Sequence, residues 1–157
     1  MTKEIKVLFV CLGNICRSTM AEAVFKAHVV EAGIEKEIYV DSAGTSSYHI
    51  GSNPDSRTIS VCKNNKVPIK HKARRITSQD YKDFDYILGM DEMNLSDLLR
   101  LKPKDSNAIV KLFGDFDPKG ESIIEDPYYG GIDGFEYIYN QCSRCSKGLL
   151  SHLKSQV

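Results

Sequence analysis

Three short runs, "IKVLFV" (Ile5 to Val10), "DYILGM" (Asp85 to Met90) and "AIVKLF" (Ala108 to Phe113), are almost uninterruptedly apolar. A strand with one wet face alternates apolar and polar residues. A continuous apolar run reads instead as a strand covered on both faces, the usual state in a parallel sheet. "IYVDSAG" (Ile38 to Gly44) reads as a fourth strand. Helical patterns separate and follow these runs. Met20, Ala23, Val24, Ala27 and Val30 recur at three- and four-residue spacing after Ser18, and Phe135, Ile138, Tyr139, Cys142, Leu149 and Leu153 do so near the C-terminus. Strands alternating with helices require right-handed crossover units. The sequence therefore predicts a small doubly wound α/β sandwich of three layers, with a four-stranded parallel sheet in the middle.

With 157 residues the chain fits a single domain spanning residues 1–157. Lys plus Arg and Asp plus Glu each total 21, so there is no global basic field for nucleic acid and any anion site must be local. No apolar run approaches the roughly 20 residues that span a bilayer, and no signal-peptide pattern opens the chain. The expected location is cytoplasmic. Five cysteines, an odd number, point to reduced thiols rather than a disulfide scaffold. Cys142 and Cys145 form a lone CxxC with no second pair at zinc-site spacing, so they read as neighbours on a C-terminal helix.

Two long loops follow strands: Ser42 to Pro54, and Phe113 to Gly134 with "EDPYYGG" inside it. In open parallel sheets, ligands bind beyond the carboxyl ends of strands, where such loops emerge. The first strand ends in "CLGNICRS", Cys11 to Ser18. Unpaired N–H groups and the helix dipole converge at a strand-to-helix turn, which makes it an anion cradle. Neither GxxxxGKS nor GxGxxG occurs, so this is not a usual nucleotide loop. Gly13 and Asn14 tolerate left-handed backbone angles and would let the loop curl its amides inward. Arg17 can clamp two phosphoryl oxygens with its planar fork. A thiol placed at a helix N-terminus beside an arginine is expected to ionise readily, which makes Cys11 a nucleophile for a bound phosphoryl group, with Ser18 as a hydrogen-bond donor to it.

"VLFVCLGNICRS", "MAEA", "DSAGTS", "HKAR", "FDYILGMDE" and "EDPYYGG" together resemble the low-molecular-weight protein tyrosine phosphatases, in order and over essentially the whole chain. The resemblance implies a phosphate-binding loop of Leu12, Gly13, Asn14, Ile15, Cys16 and Ser18 around the nucleophile Cys11 and the clamp Arg17. It implies that Asn14 holds the loop in shape, braced by Ser42 and His71, although a solvated basic run is the simpler reading of Lys70 to Arg75 alone. Asp126 takes the general-acid position. By residue type Glu125 is its rival, and Pro127 restricts the backbone of the acid. Tyr48, His49, Tyr128 and Tyr129 would form the substrate cleft, with the tyrosines as aromatic walls around a phenyl ring. Cys16 is implied as the redox partner of Cys11.

The activity implied by the resemblance is metal-independent hydrolysis of phosphotyrosine and small aryl phosphates through a phosphocysteine intermediate, releasing inorganic phosphate. No metal and no cofactor is expected. The expected partners are phosphotyrosine-containing proteins, with no nucleic acid and no membrane span, and the chain acts as a monomer or weak homodimer. Thr19 departs from the family, which often has proline there; threonine is tolerated at a first-turn position. A catalytically silent phosphotyrosine-binding module on the same fold is the rival from another class. A thiol-dependent arsenate reductase needs further cysteines, and Asp80 to Leu99 contains none. Phosphoarginine phosphatases carry threonine where this loop has the apolar Ile15.

Overall fold

The computed structural model describes residues 4–156. Four parallel strands, β1 (Ile5–Cys11), β2 (Ile38–Gly44), β3 (Tyr86–Gly89) and β4 (Ile109–Leu112), lie in the order β2-β1-β3-β4. The helices are α1 (Arg17–Glu31), α2 (Ser56–Asn64), α3 (Asp80–Asp83), α4 (Glu92–Leu101) and α5 (Ile132–Lys154), with a short 3-10 turn at Phe113–Phe116. The period of two along β1 divides the core. Ile5, Val7, Phe9 and Cys11 face one layer with α1, α2 and α5, while Leu8 and Val10 face the other with α3 and α4. That division is the expected three-layer sandwich. No helix among the described residues is long and apolar enough to cross a membrane.

Phe9 anchors the larger layer, meeting Phe25 and Phe113 edge-on at ring-centroid distances of 5.7 and 4.7 Å. Such pairs contribute about 0.5–1.5 kcal/mol each beyond their buried area. The first half of α1, Arg17 to Phe25, is buried all round because sheet, α2 and α5 enclose it. Its far end is not: Val30, expected on the apolar face, is 60% exposed.

β4 is where the apolar-run argument fails. It is an edge strand paired only with β3, and Ile109 is 44% exposed with Lys111 outside. Two or three apolar residues in so short a strand do not distinguish an edge from a centre. The loop from Phe113 to Gly134 is also less open than expected, since Ile124 within it is fully buried and pairs its N–H with the Met90 carbonyl at 2.8 Å.

The first half of that loop is fastened to α5 through Asp117. Its buried carboxylate accepts from Arg144 Nε and Nη2, both at 3.1 Å, and from the Lys119 N–H at 2.9 Å. Burial pushes its pKa up, but the Arg144 fork and the backbone donors outweigh that and hold it below the usual carboxylate range. A pKa depressed in the folded state stabilises above the unfolded value and stops doing so as pH falls through the folded one. Arg144→Gln should therefore lose roughly 1.5–3 kcal/mol at pH 7, the scale of hydrogen bonds to a charged group. Urea midpoints at a series of pH values should show the gap to the parent closing in acid; a gap that stays constant would mean that Arg144 acts through packing alone.

Candidate active site

β1 and β3 are neighbours whose following helices lie on opposite faces of the sheet, the arrangement that opens a crevice at their carboxyl ends. Cys11 closes β1, the chain bends through Leu12 to Cys16, and α1 starts at Arg17, one residue earlier than the apolar periodicity suggests. Of the two residues expected to adopt left-handed angles, only Asn14 does, with φ 59°. Gly13 serves space instead, because a Cβ there would lie 2.9 Å from the His49 ring. Gly44 also serves space. A Cβ on it would sit 2.7 Å from the Leu12 carbonyl oxygen, so the end of β2 must be bare for the loop to pass.

Asn14 is strained into shape by a complete set of hydrogen bonds. Its amide nitrogen donates to Ser18 Oγ at 2.8 Å and Ser42 Oγ at 3.0 Å, and its Oδ1 accepts from His71 Nε2 at 2.7 Å and from the Arg74 N–H at 2.9 Å. Ser42 in turn donates to Glu22 Oε1 at 2.6 Å, and His71 Nδ1 lies 3.1 Å from the same oxygen. Ser42, His71 and Asn14 thus converge as the resemblance implies, with Glu22, Asp41 and Arg74 as unforeseen members. Glu22, Asp41 and His71 bring possible ligand atoms within 4.8 Å of one another. Glu22 is already engaged by Ser42 and Lys26, and Asp41 by Arg74, so these groups are matched without an ion.

The Cys11 sulfur receives the Asn14 N–H at 3.3 Å and lies 3.1 Å from Ser18 Oγ. Since Ser18 Oγ accepts from Asn14, its own hydrogen is free to point at the sulfur. Two donors therefore face the Cys11 sulfur. Arg17, only 3% exposed, is held by Asp91 Oδ2 at 2.6 Å and the Ile124 carbonyl at 2.9 Å, and Nη2 lies 3.9 Å from Asp126 Oδ2. Burial pulls the Arg17 pKa down, but Cys11, Asp91 and Asp126 outweigh it and push it up, which makes Arg17 a permanent buried cation. Asp91 was not foreseen, although "DEMN" after the third strand is a readable helix start: Asp91 caps α4 reciprocally with Asn94.

Cys11 and Arg17 lie in a cleft of about 380 Å³ with Leu12, Gly13, Ile15, Cys16 and four residues from the two long loops, Tyr48, His49, Tyr128 and Tyr129. Asp126 is on the same wall, its Oδ1 accepting from the Tyr128 N–H at 3.0 Å. Asn14, Ser18, Ser42 and His71 are behind the cleft rather than in it. Tyr128 and Tyr129 meet edge-on at 5.0 Å, and Tyr129 is 95% exposed, so the rim is open to an incoming ring. Glu125 does not line the cleft but a neighbouring cavity that Asp126 also borders.

All five cysteines are free and buried. Burial, then Asp55, Cys11 and Asp126, push the Cys16 pKa well up, and burial puts Cys62 and Cys145 at about 12. Cys142 and Cys145 are neighbours on α5, as their spacing suggests. Thr19 donates to the Cys16 carbonyl at 3.2 Å and so ties the loop to the first turn.

The family model described as "Low molecular weight phosphotyrosine protein phosphatase" matches residues 6–157. The chain belongs to that family. A phosphatase of this name from Schizosaccharomyces pombe is 50% identical over 155 residues, covering 98% of this chain and 99% of the relative. The crystal structure of an Entamoeba histolytica protein tyrosine phosphatase with Hepes in its active site superimposes with a TM-score of 0.93 at 37% identity, covering 97% of this chain and 98% of that one. A Drosophila arginine phosphatase superimposes with a TM-score of 0.91 at 39% identity, covering 98% of this chain and all of that one.

Proposed function

We propose that this chain is a cysteine-dependent protein tyrosine phosphatase, a single domain that hydrolyses phosphotyrosine in proteins and small aryl phosphates. One observation carries the reading: the Cys11 sulfur, with hydrogen-bond donors on it, shares a cleft with a buried arginine and a carboxylate under an aromatic rim. Cys11 attacks phosphorus in line as the thiolate, and the bond from phosphorus to the phenolic oxygen breaks. Asp126 gives its proton to the departing oxygen while Arg17 and the loop amides hold the equatorial oxygens. A phosphocysteine results. Asp126, now ionised, takes a proton from the attacking water, and the sulfur leaves with its electron pair, stabilised by Ser18 and the Asn14 N–H. Positive charge at the phosphate comes from Arg17 and the backbone, so no metal enters the scheme.

The apolar Ile15 in the cleft lining favours an aryl ester over a guanidino phosphate. A flat ring between Tyr48 and Tyr128/Tyr129, with the anion site at the bottom, admits phosphotyrosine and leaves phosphoserine short of the sulfur. Cys16, a protonated neighbour, is the resolving thiol: peroxide oxidises Cys11 to a sulfenic acid, and condensation with Cys16 releases water and gives a reducible disulfide. A reducing cytosol suits five free thiols.

Hydrolysis of para-nitrophenyl phosphate from acid to neutral pH, with a chelator present, tests the reading. Steady turnover is expected, with a phosphotyrosine peptide cleaved at least roughly 100-fold faster than its phosphoserine counterpart, within the range that a shaped site discriminates. A folded, reduced protein that binds the phosphotyrosine peptide without cleaving it would make this a binding module.

A further inference from the structure

Asp126 belongs to a stretch without regular structure, and something must hold that stretch at the right height above Cys11. On its N-terminal side the chain is fixed at Ile124, whose N–H meets Met90 and whose carbonyl accepts from Arg17. On its C-terminal side, among the described residues, the hydrogen bonds reaching the backbone of residues 125–130 from outside it come from one side chain, Arg57. Nη2 donates to the Tyr128 carbonyl and Nη1 to the Gly130 carbonyl, both at 2.9 Å. The same guanidinium lies over the Phe135 ring at 4.3 Å and near the Tyr128 ring at 5.6 Å.

The other edge of Arg57 is committed to the phosphate-binding loop. Nε and Nη2 form a two-point contact with Asp55, both at 3.0 Å. Asp55 caps α2, and its own N–H donates to the Ile15 carbonyl at 2.8 Å. A rigid planar fork therefore uses four of its five N–H donors to join the loop that holds the nucleophile to the loop that holds the acid.

We propose that Arg57, seated on Asp55, is a positioning residue for the acid step, setting where Asp126 meets the leaving oxygen. This rests on the phosphatase reading above. Arg57 lies outside the lining of the cleft and touches neither Cys11 nor Arg17, so its loss acts on leaving-group protonation and not on phosphate binding. Lysine keeps the charge but cannot serve two carbonyls and a carboxylate at once.

The test compares kcat and KM of the parent, Arg57→Lys and Arg57→Gln on para-nitrophenyl phosphate, whose phenolate leaves without much help, and on phenyl phosphate, whose phenolate needs a proton. Each variant is also made in an Asp126→Ala background, and thermal melts confirm folding. Both Arg57 variants should lose about tenfold in kcat/KM, which reports the steps up to leaving-group departure, on phenyl phosphate and about twofold or less on para-nitrophenyl phosphate; neither should lose anything further once Asp126 is alanine. Equal losses on the two substrates, or the same loss without Asp126, would reduce Arg57 to general structure and overturn the proposal. If Asp126→Ala itself left phenyl phosphate turnover intact, the acid assignment would fall and this role with it. A crippled Asp126→Ala beside parent-like Arg57 variants would remove only the role of Arg57.

Discussion

Cys11→Ser yields a folded protein that binds inorganic phosphate and a phosphotyrosine peptide but has lost at least about 10⁴-fold in turnover, the scale of losing a nucleophile that acts as part of a unit. The substitution is nearly isosteric at a buried position. The brace of the loop does not run through the sulfur: Asn14 is held by Ser18, Ser42, His71 and Arg74. A serine hydroxyl can still accept the Asn14 N–H, so the cradle keeps its form, and Arg17 keeps its partners Asp91 and Ile124. What disappears is the sulfur that attacks phosphorus in the proposed mechanism. Calorimetry with phosphate and a turnover assay on one preparation check both halves. Activity within tenfold of the parent would move the nucleophile elsewhere, and lost phosphate binding would mean that Cys11 also shapes the cradle.

The candidate nucleophile was legible because its neighbourhood is local in sequence. Cys11, Asn14, Arg17 and Ser18 lie within eight residues, and the physics of a strand-to-helix turn applies to such a stretch before any tertiary contact is known. The apolar runs of β1 and β3 were legible for a similar reason, since burial on both faces removes the polar residues that alternation would need. β4 misled because edge and centre differ in what covers the strand, which a four-residue segment does not record.

The charged support of the site was the least legible part. Asp91 meets Arg17 across 74 positions, Arg57 meets Tyr128 across 71, and Arg74 meets Asn14 across 60. Each is an ordinary surface-type residue in its own segment, and only the sheet order β2-β1-β3-β4 makes them neighbours. Resemblance supplied His71 and Ser42, but Glu22 beneath them has no local signal beyond being an acidic residue in a helix that turns out to be enclosed. α2 and α4 are short, nine and ten residues long, with few buried side chains each.

Asp126→Ala should lower kcat/KM on phenyl phosphate by about 10²–10³-fold, within the range of a positioned general acid, and by much less on para-nitrophenyl phosphate, whose phenolate leaves without a proton. Asp126 borders both the cleft with Cys11 and Arg17 and the neighbouring cavity, whereas Glu125, the rival by residue type, borders only the second. Glu125→Gln should therefore stay within about twofold of the parent, the level expected of a surface carboxylate outside the chemistry. The dependence on leaving group separates an acid from a mere electrostatic neighbour: the poorer the leaving group, the more a proton donor contributes, so the loss in Asp126→Ala should grow as the phenol becomes less acidic. Asp126→Asn keeps the shape and the Tyr128 N–H contact but has no proton to give, so it should behave as the alanine variant does. An asparagine variant with parent-like activity would mean that Asp126 only tunes the charge of Arg17, 3.9 Å away. Equal losses in the Glu125 and Asp126 variants would mean that the loop as a whole, not one carboxyl group, had been disturbed.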